Sequence, residues 1–317
     1  MKIIIDNNIL TKDNIKKLKN TNILDYVKAN KIQFYASSKL LEQLFPYLLN
    51  IDYCSRKEII DYLFLLLNGT RIFDSIANIA NKEIAKARGK YQFIPCSHLK
   101  NFHPKILYNQ QYLTYIVNEL KKEKINQTKY HKEIKLWAIK NRNMIKELSQ
   151  NKFSDLDVNI SNLLTKRHFN NESINVILKI IKNINDTNLS TENKKNKIFE
   201  NLFFLLMELD FLYQLKNQKK LIKDSSFFET YYSKYNEPSF TRNMIKITLY
   251  GFSYKVCQSQ YKKKYDEDWI NDSSYICNTY FTDALLTNDT KYLKDAFVWL
   301  YKDSKQIFTL DEFLEYV

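Results

Sequence analysis

The pattern of apolar and polar residues alternates between strand and helix at the start of this chain. Runs of consecutive apolar residues predict buried strands, whereas apolar residues every three or four positions predict helices. The first helical segment breaks near Thr21, and Ser37 and Ser38 cap the next one. The order is a strand at Lys2–Ile5, a helix at Ile15–Ala29, a strand at Ile32–Ala36 and a helix from Lys39. Such alternation predicts the opening of a parallel α/β sheet.

From about Asn50 to Asp266 the pattern changes to helix after helix. Apolar residues recur at three- and four-residue spacing in several segments, among them Arg71–Arg88, Ile106–Glu123, Tyr130–Ser149, Ser173–Asn185 and Asn193–Gln218. After Tyr265 the alternation resumes, with a helix at Asn271–Thr282, a strand at Ala284–Thr287, a helix at Lys291–Trp299, a strand at Gln306–Thr309 and a helix at Asp311–Val317. We therefore predict one α/β domain, formed by residues 1–50 and 266–317 and interrupted by a mostly α-helical insertion at 51–265.

Composition removes several classes of protein. The 317 residues include only three glycines and four prolines, so there is no glycine-rich phosphate loop and little support for an all-β fold. An aromatic content of 15% excludes a disordered chain. The N-terminus turns acidic after three isoleucines, and the most apolar stretch, Ile198–Leu215, carries three acids. We expect neither a signal peptide nor a membrane span, and therefore a cytoplasmic protein.

The net charge of +14 is unevenly distributed. Residues 51–265 carry +17, whereas the two end segments together carry −3. A basic insertion suits a polyanion such as RNA, although lysine-rich helices also serve as ordinary solvated surface. The candidate nucleic-acid-binding residues in the insertion are Lys132, Lys135, Arg142, Lys166, Arg167, Lys262, Lys263 and Lys264.

Four carboxylates lie near the ends of the predicted strands. Asp6 and Asp289 directly follow strands, Glu42 lies one turn into a helix, and Asp272 begins another. Because the carboxyl ends of parallel strands form one edge of a sheet, these side chains are expected to meet there. Clustered carboxylates favour Mg²⁺ or Mn²⁺, which stabilise charge on a scissile phosphate in two-metal nucleases. The competing interpretation is that each acid is only a turn or helix-cap residue.

Three segments resemble the PIN-domain nucleases. The opening Ile3-Ile4-Ile5-Asp6-Asn7-Asn8-Ile9-Leu10 is similar to the first strand of that family, which ends in an Asp followed by small polar residues and an apolar pair. The stretch from Asn271 to Asp289 is similar to the family signature, which runs from an Asp at a helix start to a strand ending in Thr-x-Asp. The closing Phe308–Leu314 resembles the family's last strand and helix, with Leu310 in place of the usual Pro.

This resemblance implies a PIN-like parallel-sheet domain that acts as a metal-dependent endoribonuclease. Asp6, Glu42, Asp272 and Asp289 would be the catalytic quartet that binds Mg²⁺ or Mn²⁺, and the hydroxyl of Thr287 would support it. Asn7, Asn8 and Asp283 are weaker candidates for supporting or structural roles. Glu42 departs from the family's spacing, because 230 residues separate it from Asp272. The implied reaction is hydrolysis of an RNA phosphodiester by metal-activated water, with no covalent enzyme intermediate.

The resemblance also suggests a setting in bacterial toxin or defence biology. The expected substrate is single-stranded or structured RNA. An inhibitor or antitoxin protein is a further partner to consider, and the chain could also form an oligomer. No membrane partner is expected. Three alternatives stay open. In the first, the chain is a PIN-like RNA-binding module without catalysis. In the second, it is a structure-specific DNA nuclease related to the flap-cleaving enzymes. In the third, the insertion docks a protein partner such as an acidic inhibitor.

Overall fold

The computed structural model describes residues 1–68, 71–86, 96–97, 104–119, 121, 182, 187–188, 190, 239–244, 246–247, 250, 268–290 and 292–317. The chain forms two compact units. The first comprises 1–84, 92–129 and 246–317, and the second comprises 85–91 and 130–245. Of the second unit, the described residues 240–244 are helical, and Phe240 and Thr241 are buried there. The fold described below is that of the first unit.

A six-stranded sheet forms the centre of the first unit. The strands are β1 (Lys2–Ile5), β2 (Gln33–Ser37), β3 (Ile72–Phe73), β4 (Cys96–Ser97), β5 (Ala284–Leu286) and β6 (Gln306–Phe308), in the spatial order β4-β3-β2-β1-β5-β6. Five strands are mutually parallel, and β4 pairs antiparallel with β3 at one edge. The prediction of a parallel α/β sheet is confirmed at this level.

Helices connect and cover the strands. Those whose bounds are defined in the described residues are α1 (Lys12–Lys19), α2 (Ile23–Lys28), α3 (Ser38–Leu49), α4 (Tyr53–Leu66), α5 (Ile76–Lys86), α6 (Asp268–Asn278), α7 (Tyr292–Tyr301) and α8 (Leu310–Tyr316). Single 3₁₀ turns follow β1, α6 and α7, and another spans Pro104–Tyr108. In the part of the chain that the structure describes, no helix has the length and apolar character needed to cross a bilayer.

The core is centred on β1, as its run of isoleucines predicts. Ile3, Ile4 and Ile5 are all fully buried. Because successive side chains of a strand point to opposite faces, both faces of the sheet are covered at β1. The first strand of the chain is therefore a central strand, with β2 on one side and β5 on the other.

Local signals define several helix ends. The break predicted near Thr21 is confirmed, since the Thr21 hydroxyl bonds to the carbonyl of Leu18 between α1 and α2. Ser37 caps α3 through a bond from the amide of Lys39. Thr309 and Glu312 form a capping box at the start of α8. These caps lie within two residues of the positions that the sequence predicts.

The prediction for Arg71–Arg88 is wrong at its start. Ile72 and Phe73 form strand β3, Asp74 and Ser75 make the turn, and helix α5 begins only at Ile76. The helix predicted from Ile106 is also divided: its first residues lie in the 3₁₀ turn, and the side chain of Asn109 caps the helical residues that follow. Other predicted elements of the insertion, including those at 130–149, 173–185 and 193–218, lie outside the described residues, apart from Lys182.

Candidate active site

The carboxyl ends of β1 and β5 bring the two best-placed acids to one edge of the sheet. Ile5 pairs with Leu286, so the residues that follow, Asp6 and Thr287, emerge side by side. The amide of Asp6 donates to the carbonyl of Leu286 at 3.0 Å and extends the pairing by one step. Asp289 follows two residues after Thr287 on the same loop. The acids predicted at strand ends therefore share one edge.

Asp6 is a buried carboxylate, with only 3% of its surface exposed. Its Oδ2 accepts a hydrogen bond from the Thr287 hydroxyl at 2.7 Å, and its Oδ1 accepts one from the amide of Asn7 at 2.6 Å. Burial, with a smaller contribution from the charge of Asp289, raises the pKa of Asp6 to about 6 against the opposing effect of these hydrogen bonds. The charge of Asp6 is thus only partly compensated by the protein.

The Thr287 hydroxyl connects the loops after β1 and β5. Besides donating to Asp6, its oxygen accepts from Asn8 Nδ2 at 3.1 Å and from the amide of Asp289 at 3.0 Å. Asn8 Oδ1 in turn accepts from the amide of Asn288 at 3.0 Å. Thr287 and Asn8 thus link the loop that carries Asp6 to the loop that carries Asp289.

The same network reaches the elements around these loops. Asn14 Nδ2 donates to the carbonyl of Asn8, and Asn288 Oδ1 accepts from the amide of Leu310 at the start of α8, each at 3.0 Å. Asp283, another of the weaker sequence candidates, lies elsewhere. It precedes β5, and its Oδ2 accepts from the amide of Lys2 at the opposite end of β1. Asp283 is therefore a structural residue remote from the candidate active site.

Glu42 lies in α3 and Asp272 in α6, and both are half-buried. Glu42 forms an ion pair with Lys39, one turn earlier in α3. The Lys39 side chain is only 17% exposed, so its ammonium lies beside the Glu42 carboxylate rather than extending into solvent. The assignment of Glu42 from the sequence did not anticipate this lysine.

Tyr275 lies near three of the four predicted carboxylates. It is fully buried in α6, and its hydroxyl donates to Gln43 Oε1 at 2.5 Å. Burial raises the pKa of Tyr275 well above its usual value, and the charges of Asp6, Asp272 and Glu42 each raise it further. A single buried phenol therefore lies within electrostatic reach of three predicted acids, and the fourth, Asp289, acts on Asp6.

A divalent cation fits the chemistry of these residues but not yet their spacing. Carboxylate oxygens are the ligands that Mg²⁺ and Mn²⁺ prefer, and a cation would offset the burial cost of the Asp6 charge. Within the described ranges, however, no three His, Cys, Asp or Glu side chains are close enough to hold one ion.

The sequence analysis missed three residues of this region: Tyr275, Gln43 and Lys39. A signal for Tyr275 was available, because it lies three residues after Asp272 and therefore on the same helical face. Gln43 and Lys39 have no such signal. Lys132, Lys135, Arg142, Lys166, Arg167 and Lys262–Lys264, which we predict to bind nucleic acid, lie outside the described residues.

Comparisons with known proteins add no relative. Searches against protein families, curated proteins and solved structures each find no match to this chain. The likeness to PIN-domain nucleases therefore depends on the motifs quoted above.

Proposed function

We propose that this chain is a metal-dependent endoribonuclease with a PIN-like fold. The observation that carries the proposal is the position of Asp6 and Asp289 at the carboxyl ends of adjacent parallel strands, joined through the Thr287 hydroxyl. This edge is where open parallel sheets bind their ligands. A buried carboxylate with a raised pKa, facing a second acid, is typical of functional rather than structural positions.

The roles of the residues follow from their contacts. Asp6, Asp289, Glu42 and Asp272 would hold Mg²⁺ or Mn²⁺, which supplies positive charge against the phosphate oxygens when bound. Thr287 orients the Asp6 carboxylate, and Asn8 holds the Thr287 hydroxyl in place. Lys39 pairs with Glu42 and so would compete with a cation for that carboxylate.

The remaining parts of the proposal concern the rest of the chain. Residues 51–265 would include a basic, mostly helical insertion in the PIN-like domain, and its lysines and arginines would hold the RNA backbone through phosphate contacts. The net charge of +17 in this range supports that role. A cytoplasmic toxin or defence effector, restrained by an inhibitor protein, is the setting that we propose for such an activity.

A second candidate function has its own support. Because no three acids in the described residues converge on one point, a PIN-like module that binds RNA without cleaving it fits that spacing. The two candidates differ in one measurable property, which is metal-dependent turnover.

Cleavage assays with three nucleic acids test the proposal. The protein is incubated with single-stranded RNA, duplex RNA and flap DNA, in Mn²⁺ or in EDTA, beside Asp6→Asn and Asp289→Asn variants. Asp283→Asn is the matched control, since it makes the same change at the opposite end of β5. We expect Mn²⁺-dependent cleavage of RNA by the wild type and by Asp283→Asn, and its loss in the other two variants.

The other outcomes separate the alternatives. RNA binding without cleavage supports the inactive module, and preferential cleavage of the flap supports a DNA nuclease. Cleavage that survives in Asp289→Asn contradicts the site, even if the activity itself is real.

A further inference from the structure

Arg71 is a half-buried arginine whose hydrogen bonds are incomplete. It lies one residue before β3, opposite Tyr35 of β2, and its carbonyl accepts from the amide of Ala36 at 2.9 Å. Its Nη2 donates to Asn30 Oδ1 at 3.3 Å. Its Nη1 is shielded from solvent and has no acceptor among the described residues. The N–H groups of Nη1, on a side chain that is always charged, are therefore hidden without a partner.

No carboxylate compensates the charge of Arg71 in the part of the chain that the structure describes. The ion pairs defined there each join a lysine to an acid, and none includes Arg71. Its one side-chain hydrogen bond goes to the neutral amide of Asn30, which is exposed. Because donors of a charged group that are hidden from water cost stability until they are paired, this arrangement favours the binding of an anion.

Tyr35 supports the guanidinium without using its donors. The central carbon of the Arg71 guanidinium lies over the Tyr35 ring, 5.9 Å from the ring centroid. That ring stacks on Phe73 at 5.2 Å, and its hydroxyl donates to Gln33 Oε1 at 3.3 Å, so the ring is itself held in place. A cation over an aromatic ring is attracted to the ring face and keeps its N–H groups for other ligands.

Asn30 shows which end of the sheet the Arg71 side chain approaches. Asn30 precedes β2 and has a left-handed backbone with φ of 55°, a conformation that asparagine adopts more readily than most residues. The bond to Asn30 therefore places the guanidinium near the amino ends of the parallel strands. Asp6 and Asp289 lie at the carboxyl ends of the same sheet, so Arg71 belongs to a different surface of the first unit.

We propose that Arg71, with Asn30 beside it, binds a phosphate group at the amino ends of β2 and β3. A guanidinium presents N–H donors whose spacing matches two oxygens of a phosphate, and such charge-assisted bonds are strong. The net charge of +14 favours polyanions, so the backbone of single-stranded RNA is the source that we expect. The inference goes beyond the proposed nuclease, because it requires neither cleavage nor a metal.

Binding measurements on the full chain test the site with two probes. Inorganic phosphate is added while the thermal midpoint is followed, and a labelled single-stranded RNA is titrated at several salt concentrations in EDTA. The variants are Arg71→Met and Arg71→Lys. Lys28→Gln is the matched control, because it removes the same charge two residues from Asn30, but Lys28 already has a carboxylate partner, Asp25, at 3.9 Å.

We expect Arg71→Met to weaken RNA binding about tenfold, as the loss of a hydrogen-bonded charged contact should. The slope of log affinity against log salt should become shallower by about 0.7, the value for one phosphate contact on a single strand. Arg71→Lys should keep the slope and recover only part of the affinity, because an ammonium lacks the planar fork. Lys28→Gln should match the wild type in both measurements.

The thermal midpoint separates a binding role from a structural one. Without phosphate, Arg71→Met should keep the wild-type midpoint, since it removes donors that have no acceptor. The rise in midpoint that phosphate gives the wild type should be absent in Arg71→Met and present in Lys28→Gln. If Arg71→Met does not fold, the partial loss of affinity in Arg71→Lys decides the question.

The site is overturned if Arg71→Met changes neither the RNA affinity nor the response to phosphate, or if Lys28→Gln shows equal losses. A lower midpoint with unchanged binding assigns Arg71 a structural role and also overturns the site. Loss of the phosphate response alone supports the site and makes a free phosphate compound its ligand instead of RNA. None of these outcomes depends on cleavage, so the proposed nuclease stands or falls separately.

Discussion

Two buried charges in the first unit, Arg56 and Asp6, are equally hidden from solvent but differently compensated. Each is 3% exposed. Arg56 donates from Nε to the carbonyl of Leu48 at 2.8 Å, and from its two terminal nitrogens to the carbonyls of Tyr108 and Ile51, both at 3.1 Å. Asp6 accepts hydrogen bonds from the Thr287 hydroxyl and from the amides of Asn7 and Asn8, but it faces another acid.

The difference indicates what each charge is for. Arg56 joins the end of α3, the connection to α4 and the 3₁₀ turn at Pro104–Tyr108, with every part of its guanidinium engaged by a carbonyl. Such a charge stabilises the fold, and its hydrogen-bonding groups are already satisfied. Asp6 keeps a raised pKa because its surroundings favour the neutral form, which is the condition that a bound cation reverses.

The largest expected effect is on the Arg56 side of this comparison. Arg56→Met leaves three carbonyls without their donor, so we expect the free energy of unfolding to fall by roughly 3–5 kcal/mol. Arg56→Lys is expected to recover little, because a compact ammonium cannot reach three separate segments. Urea denaturation measures both. A loss below about 1 kcal/mol in Arg56→Met would place the carbonyls in contact with solvent instead.

Asp6→Asn is expected to stabilise the protein while abolishing the proposed nuclease activity. The folded pKa of about 6 exceeds the ordinary 3.8, so the folded state holds this proton more tightly. Its contribution to stability is present below about pH 4 and is lost as the pH rises through 6. At pH 7 the variant avoids that loss, a gain of up to about 3 kcal/mol in the free energy of unfolding.

Unfolding free energies of wild type and Asp6→Asn, measured without added metal from pH 4 to pH 7, check this sign. The unfolding free energy of Asp6→Asn should exceed that of the wild type by an amount that grows as the pH rises through this range. A constant difference between them would mean that Asp6 titrates normally in the folded protein. Asp283→Asn, at the other end of β5, controls for the substitution itself.

Thr287→Val has an intermediate expected effect. The hydroxyl bond to Asp6 lowers the pKa of that carboxyl, so its removal is expected to raise the pKa above its present value of about 6. The free energy of unfolding at pH 7 should fall by about 1–2 kcal/mol. NMR resonances of the carboxyl carbons, recorded as a function of pH, show whether the pKa of Asp6 rises or falls. Thr287→Ser keeps the hydroxyl and should behave as wild type. A pKa that falls in Thr287→Val would contradict the network.

Lys39→Gln has the smallest expected effect on stability and a separate effect on binding. A helix ion pair three residues apart contributes only about 0.5 kcal/mol, so the unfolding free energy should hardly change. Mn²⁺ affinity should rise, because the ammonium no longer competes for the Glu42 carboxylate. Titration of both proteins with Mn²⁺ measures this, and a weaker affinity in the variant would show that Lys39 supports the site instead.

The residues nearest the candidate active site were predictable because their signals are local. Lys2–Ile5 is a strand with the bounds that its isoleucines predict, and Asp6 ends it as a turn residue should. Ala284–Leu286 and the Thr287–Asp289 loop follow the same logic at the other end of the chain. These strands and turns are determined by residues that are adjacent in sequence, so a local pattern is enough to predict them.

The missed elements depend on contacts between distant residues. Strands β3 and β4 have two residues each, too few for any periodicity, and Ile72 and Phe73 are strand residues because Ala36 and Ser37 pair with them. The Tyr275–Gln43 bond joins residues 232 positions apart. No local sequence pattern includes both residues, so this hydrogen bond could not be predicted from the sequence.

The central place of β1 also determines when the candidate active site can exist during synthesis. Asp6 and its partner Thr287 are 281 residues apart, and β5 must pair with β1 before they meet. At roughly 5–20 residues per second, a ribosome takes on the order of 15–60 s to bridge that interval. Until residues 268–289 have been made, a nascent chain has only Asp6 and Glu42 of the four candidate acids. The order of the strands in the sheet therefore delays assembly of the candidate active site until β5 has been synthesised.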